Sequence, residues 1–111
     1  MKQSCLIKDI IATYRKHGWQ LQRALMRSAT RSEVIDKEEM TLEGAEVDQA
    51  EVDALWFSRP SRGMSEAWEL RLVAESPYAL FETFAADEPE ELREEARKEM
   101  EARLREYVSR A

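Results

Sequence analysis

The chain has 111 residues, of which 43% are hydrophobic and 36% are charged, and its formal net charge is −6 at pH 7. A chain of this length and composition can bury a core of its own, so we expect one folded domain over residues 1–111. Cys5 is the only cysteine, which excludes an internal disulfide and favours a reducing compartment. No apolar run is long enough to cross a bilayer and no secretory leader is recognisable, so we expect a cytoplasmic protein with no membrane contact.

Charge is distributed unevenly along the chain. Residues 1–31 carry seven basic side chains against one acid, whereas residues 32–57 carry nine acids against one base. Such asymmetry indicates either a nucleic-acid surface or two segments that attract each other. Because the total charge is acidic and no nucleic-acid-binding motif is present, attraction within one chain or between two chains is the better interpretation.

The first two elements have clear patterns. Apolar residues between Ser4 and His17 fall on one stripe of a 3.6-residue period, which predicts a helix over residues 4–17. Gly18 suits the left-handed position that ends such a helix. Alternation from Trp19 to Met26 then predicts a strand.

Residues 31–52 fit neither period. Their apolar residues are sparse among acids, and Gly44 interrupts whatever precedes it. The segment is therefore interpreted either as an acidic excursion or as a strand that the pattern does not define.

A hairpin is predicted next, with arms at residues 53–59 and 66–74 joined by a loop that contains Pro60 and Gly63. The expected register joins opposite charges and apolar residues across the strands: Arg59 with Glu66, Phe57 with Trp68, and Leu55 with Leu70.

The end of the chain predicts one more strand and a long helix. Residues 78–84 favour a strand over a helix, although Ser76-Pro77 can also start a helix. Asp87, Pro89 and Glu90 form a helix-start signal, and a narrow apolar stripe follows. The fold class is therefore α+β, an antiparallel sheet of about four strands with the N- and C-terminal helices packed on one face.

The expected register gives the sheet a covered face, which collects Leu55, Phe57, Trp68, Leu70, Leu72, Tyr78, Leu80 and Phe84. Glu82 is the one charged residue on that face, and Arg23 of the first strand is its predicted partner. A structural ion pair is favoured over a functional site for these two residues.

The opposite face of the predicted sheet carries the candidate site. It holds Trp56, Glu69, Arg71 and Phe81, and Arg59 lies beside the hairpin loop. Such a face is too apolar to be left in water, and Trp, Phe and Arg are enriched at interfaces. We therefore expect self-association through this face, with residues 31–52 folding over Trp56 as the alternative.

Catalytic and metal sites have no sequence support. The three glycines are too far apart for a phosphate-binding loop, and one histidine with one cysteine does not make a zinc site. No catalytic residue, metal ligand or cofactor is predicted, and whether the protein is an enzyme is left open.

The sequence does not define a biochemical function. It favours a small interaction module that forms a homodimer through an open sheet face. The alternative is a small-molecule or anion-binding protein, with a pocket near Trp56 and Arg59 that includes Glu69 and Arg71.

Overall fold

The computed structural model describes residues 3–36, 42 and 44–110. Their elements, in chain order, are α1 (Gln3–Lys16), β1 (Gln20–Met26), α2 (Ser28–Arg31) with a following π-helical segment (Ser32–Asp36), β2 (Glu46–Gln49), β3 (Ala54–Pro60), β4 (Glu66–Leu72), β5 (Ala79–Phe84) and α3 (Glu90–Arg110). The predicted α+β class, with helices at both ends of the chain, is confirmed.

The strands form one sheet in the order β2-β1-β3-β4-β5. The β1–β2 pair is parallel and the remaining pairs are antiparallel. The strand beyond the expected four is β2, which lies in the acidic segment that the sequence pattern left undefined. Consequently β2 and β5 are the two edges of the sheet.

The two terminal helices cover opposite faces of the sheet. Ile7 and Ile10 of α1 belong to a buried cluster with Phe57, whereas Leu104 of α3 belongs to a second cluster with Trp56. Adjacent strand residues point to opposite faces, so these clusters lie on different sides. The expectation that both helices pack on one face is thus corrected: the sheet is the middle layer of three.

The hairpin register is one residue away from the expected one. Trp56 pairs with Leu70 and Ser58 pairs with Trp68. The loop is tighter than expected, with the Ser61 N–H donating to the Ser65 carbonyl at 2.9 Å. A one-residue slip exchanges the faces of a strand, so Trp56 joins Trp68 on the α3 side, and the expected single covered face is wrong.

The predicted pair of Arg23 and Glu82 is also wrong. Arg23 lies within 3.2 Å of Glu46 and 3.5 Å of Asp48, both on the neighbouring β2. Glu82 is exposed on β5, which is separated from β1 by two strands.

The main cover of Trp56 is α3, and Val52, at the end of residues 31–52, belongs to the same buried cluster. Within that segment, Val34 and Leu42 are buried in the cluster on the α1 side. What the sequence suggested for residues 37–41 and 43 lies outside the described residues.

Candidate interaction surface on the α1 side of the sheet

Four of the five predicted site residues lie on the α1 side of the sheet. Arg59 is two residues from Phe57 on β3, so its side chain points to the same side as Phe57, which packs on α1. Glu69 of β4 and Phe81 of β5 are directly opposite each other in the sheet. Arg71 lies on the same side, two residues beyond Glu69. We call the part made by β4 and β5 the Phe81 surface, which comprises Glu69, Arg71, Ala79, Phe81 and Thr83.

Phe81 is the most exposed aromatic residue among the described large hydrophobics, with 57% of its surface accessible. Its neighbours on the outer strand, Ala79 and Thr83, are exposed as well. The ring meets Trp19 edge-to-face, with centroids 6.4 Å apart at an interplanar angle of 85°. Coverage by α1 and Trp19 therefore ends at Phe81, and the outermost strand is left open on this side.

A tyrosine joins α1 to the surface. The Tyr14 ring stacks on Phe57 with centroids 4.1 Å apart, and its hydroxyl donates a hydrogen bond to the Glu69 carboxylate. Burial, and then this hydrogen bond to Glu69, raise the pKa of Tyr14 well above its ordinary value of 10.0. Tyr14 thus stays a neutral donor and holds Glu69 in place.

Arg59 lies near the end of α1, against Trp19. The Arg59 guanidinium lies 4.4 Å from the centroid of the Trp19 ring and donates to the His17 carbonyl at 2.9 Å. A shallow cleft of about 380 Å³ lies between these groups, lined by Thr13, Tyr14, His17, Trp19, Arg59 and Glu69. Arg59 and Glu69, which line the cleft, are both hydrogen-bonded within the protein. Neither side chain is therefore available to a ligand unless one of these bonds is broken.

Arg71 is the remaining charged member of the surface. Its guanidinium donates to the carbonyl of Leu72 at the end of β4. The side chain is half-buried, as is that of Glu69, so the Phe81 surface carries one acid and one base beside its exposed phenylalanine.

Trp56 is separated from the other four residues by the thickness of the sheet. It is 1% exposed, its ring meets Trp68 edge-on with centroids 5.9 Å apart, and its indole Nε1–H donates to Glu101 of α3 at 2.8 Å. The structure therefore does not bring Trp56 and Arg59 into one pocket.

A second cavity lies beside Trp56 on the α3 side, with a volume of about 310 Å³. Its wall includes Arg97, whose guanidinium lies 4.7 Å from the centroid of the Trp68 ring and bonds to Glu90 and Glu94. Burial alone would lower the pKa of Arg97, but hydrogen bonding to these two carboxylates outweighs burial and raises it. The cation is thus neutralised by its own helix, which suits a structural ion pair better than an anion site.

The most connected polar group of the described chain, Asp53, was missed as a special residue by sequence reasoning. It is 4% exposed and accepts hydrogen bonds from Gln3, Thr30 and both the backbone and side chain of Arg27. Burial alone would raise the pKa of Asp53, but these donors outweigh it and lower the pKa. Because every donor comes from a distant element, only the position of Asp53 directly before an apolar run hinted at its role.

Tyr14 and Trp19 were also missed as parts of the site. Both were assigned to their own elements, Tyr14 to the apolar stripe of the first helix and Trp19 to the following strand. Their contacts with Glu69 and Phe81 span more than fifty residues of sequence, and no local pattern reports contacts of that range.

No protein-family model, curated protein or solved structure matches this chain. Over residues 3–36, 42 and 44–110, no cluster of three or more His, Cys, Asp or Glu side chains is placed to hold a metal ion. None of the helices described is both long and apolar enough to span a membrane. Functional inference therefore rests on the geometry of the Phe81 surface.

Proposed function

We propose that the protein is an interaction module that self-associates through the Phe81 surface. The observation that carries this proposal is the exposure of Phe81 at 57% in the middle of an outer strand, between exposed Ala79 and Thr83. Phenylalanine is among the residues enriched at interfaces, and the small residues beside it allow a partner to approach closely.

Electrostatics favours this surface over other parts of the molecule. A chain of net charge −6 repels a second copy in general. The Phe81 surface, however, balances Glu69 with Arg71, so two such surfaces meet without a concentration of like charge. The acidic residues Glu46 and Asp48 lie at the other edge of the sheet, on β2.

The proposal is tested by the solution mass of Phe81→Lys, measured by light scattering on a sizing column at several protein concentrations. The unaltered chain is expected near 26 kDa, twice the chain mass of 13.0 kDa. A lysine at position 81 faces Glu69 within one chain, which suits the folded monomer. Two lysines at the contact repel each other, so we expect association at least about tenfold weaker, or roughly 1.4 kcal/mol.

Leu92→Lys is the matched control. Leu92 is 51% exposed on α3, on the other side of the sheet from Phe81. The variant adds the same charge at a comparably exposed apolar residue, and it is expected to keep the mass of the unaltered chain. A 13.0 kDa species for the unaltered chain at every concentration would contradict the proposal.

A further inference from the structure

The backbone of β5 has a free edge in the described part of the chain. The Leu72 N–H donates to the Tyr78 carbonyl at 2.9 Å, which fixes the alternation of the β4–β5 ladder. In an antiparallel ladder, hydrogen-bonded pairs alternate with pairs whose N–H and C=O groups point away from the partner strand. The residues whose backbone groups point outward are therefore Ala79, Phe81 and Thr83.

One contact agrees with this assignment. The outward N–H of Thr83 donates to the carboxylate of the preceding residue, Glu82, at 3.2 Å. A side chain thus occupies the place where a neighbouring strand would supply a carbonyl. Such a bond is exposed and local, so it is readily exchanged for a strand carbonyl.

The two edges of the sheet differ in how they are protected. The β2 edge has four residues and carries exposed Glu46 and Asp48, features that discourage pairing with another chain. The β5 edge is six residues long, with Glu82 as its only charge. An exposed apolar edge of this kind is a template for an added strand.

We propose that two copies pair through their β5 strands, antiparallel about a two-fold axis at Phe81, and so join two sheets into one. The inference rests on the proposed self-association and names its geometry. A two-fold axis perpendicular to the sheet places the α1 sides of both copies on the same side of the joined sheet. Only a few alignments, or registers, of the two β5 strands are then possible.

Hydrogen bonding and charge select among those registers. With Phe81 opposite Phe81 of the second copy, Ala79 faces Thr83, and all outward N–H and C=O groups of these residues are paired. A two-residue shift one way places Glu82 opposite Glu82, which is repulsive. The same shift the other way leaves Thr83 opposite Pro77, which has no N–H to donate. The register centred on Phe81 is therefore favoured.

The register centred on Phe81 can be tested by disulfide formation between two different single-cysteine variants. In a Cys5→Ser background, Ala79→Cys and Thr83→Cys are prepared separately, then mixed under oxidised glutathione. In the proposed dimer, residue 79 faces residue 83 of the second copy, at a Cα separation of about 5.5 Å that a disulfide spans. Identical positions are offset by four residues, about 13 Å along the strand, which is too far for a disulfide.

We expect the mixture to yield a linked dimer on a denaturing gel without reductant, at least about tenfold more than either variant alone. Met64→Cys in the same background is the control for accessibility alone, because Met64 is 83% exposed in the hairpin loop. Its mixture with Thr83→Cys is expected to stay at the level of the single variants.

Ala79→Pro provides a test without cysteine. The Ala79 N–H points outward, so proline removes a bond across the dimer while the β4 ladder is kept. Ala79→Val keeps the N–H and is the matched control. Association is expected to weaken about tenfold or more for proline relative to valine, with the far-ultraviolet circular dichroism of both variants unchanged.

The outcomes separate this inference from the proposed function. A dimer that is lost in Phe81→Lys, yet shows no selective linking of the mixture and no effect of Ala79→Pro, would overturn edge pairing and retain association through the Phe81 surface. A monomer at all concentrations would overturn both. Selective linking together with the proline effect would support the β5 edge as the contact.

Discussion

The two sides of the sheet are covered by their helices to different extents. On the α3 side, a helix of 21 residues packs on β4 and β5, and Trp56 of β3 and Leu70 of β4 are buried in the same cluster as its Met100 and Leu104. On the α1 side, a helix of 14 residues covers the central strands, and Phe81 remains 57% exposed. Since a helix rises 1.5 Å per residue, α3 is about 10 Å longer than α1.

The side chains of β4 follow the same division. Toward α3 the strand directs Trp68, Leu70 and Leu72, whereas toward α1 it directs Glu69 and Arg71. One strand thus serves both sides of the sheet: one side closes the core and contributes stability, and the other side is the mixed polar and apolar surface at which we propose association. Substitutions on the two sides should therefore have separable effects on the free energy of unfolding and on association.

The largest effect on stability is expected on the α3 side, for Trp56→Ala. The tryptophan is 1% exposed, so its removal leaves a cavity next to Trp68 and α3. We expect a loss of about 3–5 kcal/mol in the free energy of unfolding, measured by urea denaturation at pH 7.

Trp56→Phe serves as the companion variant. It keeps most of the ring volume and loses the hydrogen bond to Glu101, so a smaller loss of about 1–2 kcal/mol is expected. If Trp56→Ala instead cost less than about 1 kcal/mol, the buried position of Trp56 would be contradicted.

An intermediate effect is expected for Asp53→Asn on the α1 side. The amide keeps the shape of the carboxylate but removes its charge and turns one acceptor into a donor that faces Gln3 and Arg27. We expect a loss of about 1–3 kcal/mol at pH 7, measured by urea unfolding. Asp48→Asn, at an exposed residue of β2, is the control and should change stability by less than about 0.5 kcal/mol.

The same variant has a predictable pH dependence. Because hydrogen bonds hold the folded pKa of Asp53 below its ordinary value of 3.8, the carboxylate stabilises the fold fully above that value. Its contribution is lost as the pH falls through the folded pKa. The difference between the unaltered chain and Asp53→Asn should therefore shrink in acid, and a difference that grew below pH 4 would contradict the assignment.

The smallest effect is expected for Tyr14→Phe, which keeps the stacking on Phe57 and removes the bond to Glu69. A loss of about 0.5–1.5 kcal/mol is expected at pH 7 by thermal or urea unfolding. The pKa of Tyr14 is raised in the folded state, so this contribution is full below the ordinary value of 10.0 and is lost as the pH rises above it.

Tyr107→Phe is the control, because Tyr107 is 40% exposed on α3. It should cost less than about 0.5 kcal/mol. Equal losses for the two tyrosines would remove the special role assigned to the contact of Tyr14 with Glu69.

Local pattern alone predicted three of the elements described here. The stripe from Leu6 to Tyr14, the alternation after Trp19 and the charged repeat of the last helix each depend on neighbours within a few residues, and they predicted α1, β1 and α3. The α+β class followed from the order of these elements. The placement of Phe81 on a different face from Trp68 and Leu70 was also predicted correctly.

Only the tertiary structure decided which face each strand presents to which helix. Both Leu55 and Trp56 are apolar, so β3 shows no alternation that would mark one side as buried. The hairpin loop then fixed the register one residue away from the expected pairs, which moved Trp56 beneath α3 and left Arg59, Glu69, Arg71 and Phe81 on the other side. Register, the Asp53 network and the contact of Tyr14 with Glu69 all join residues that are distant in sequence, and packing alone brings them together.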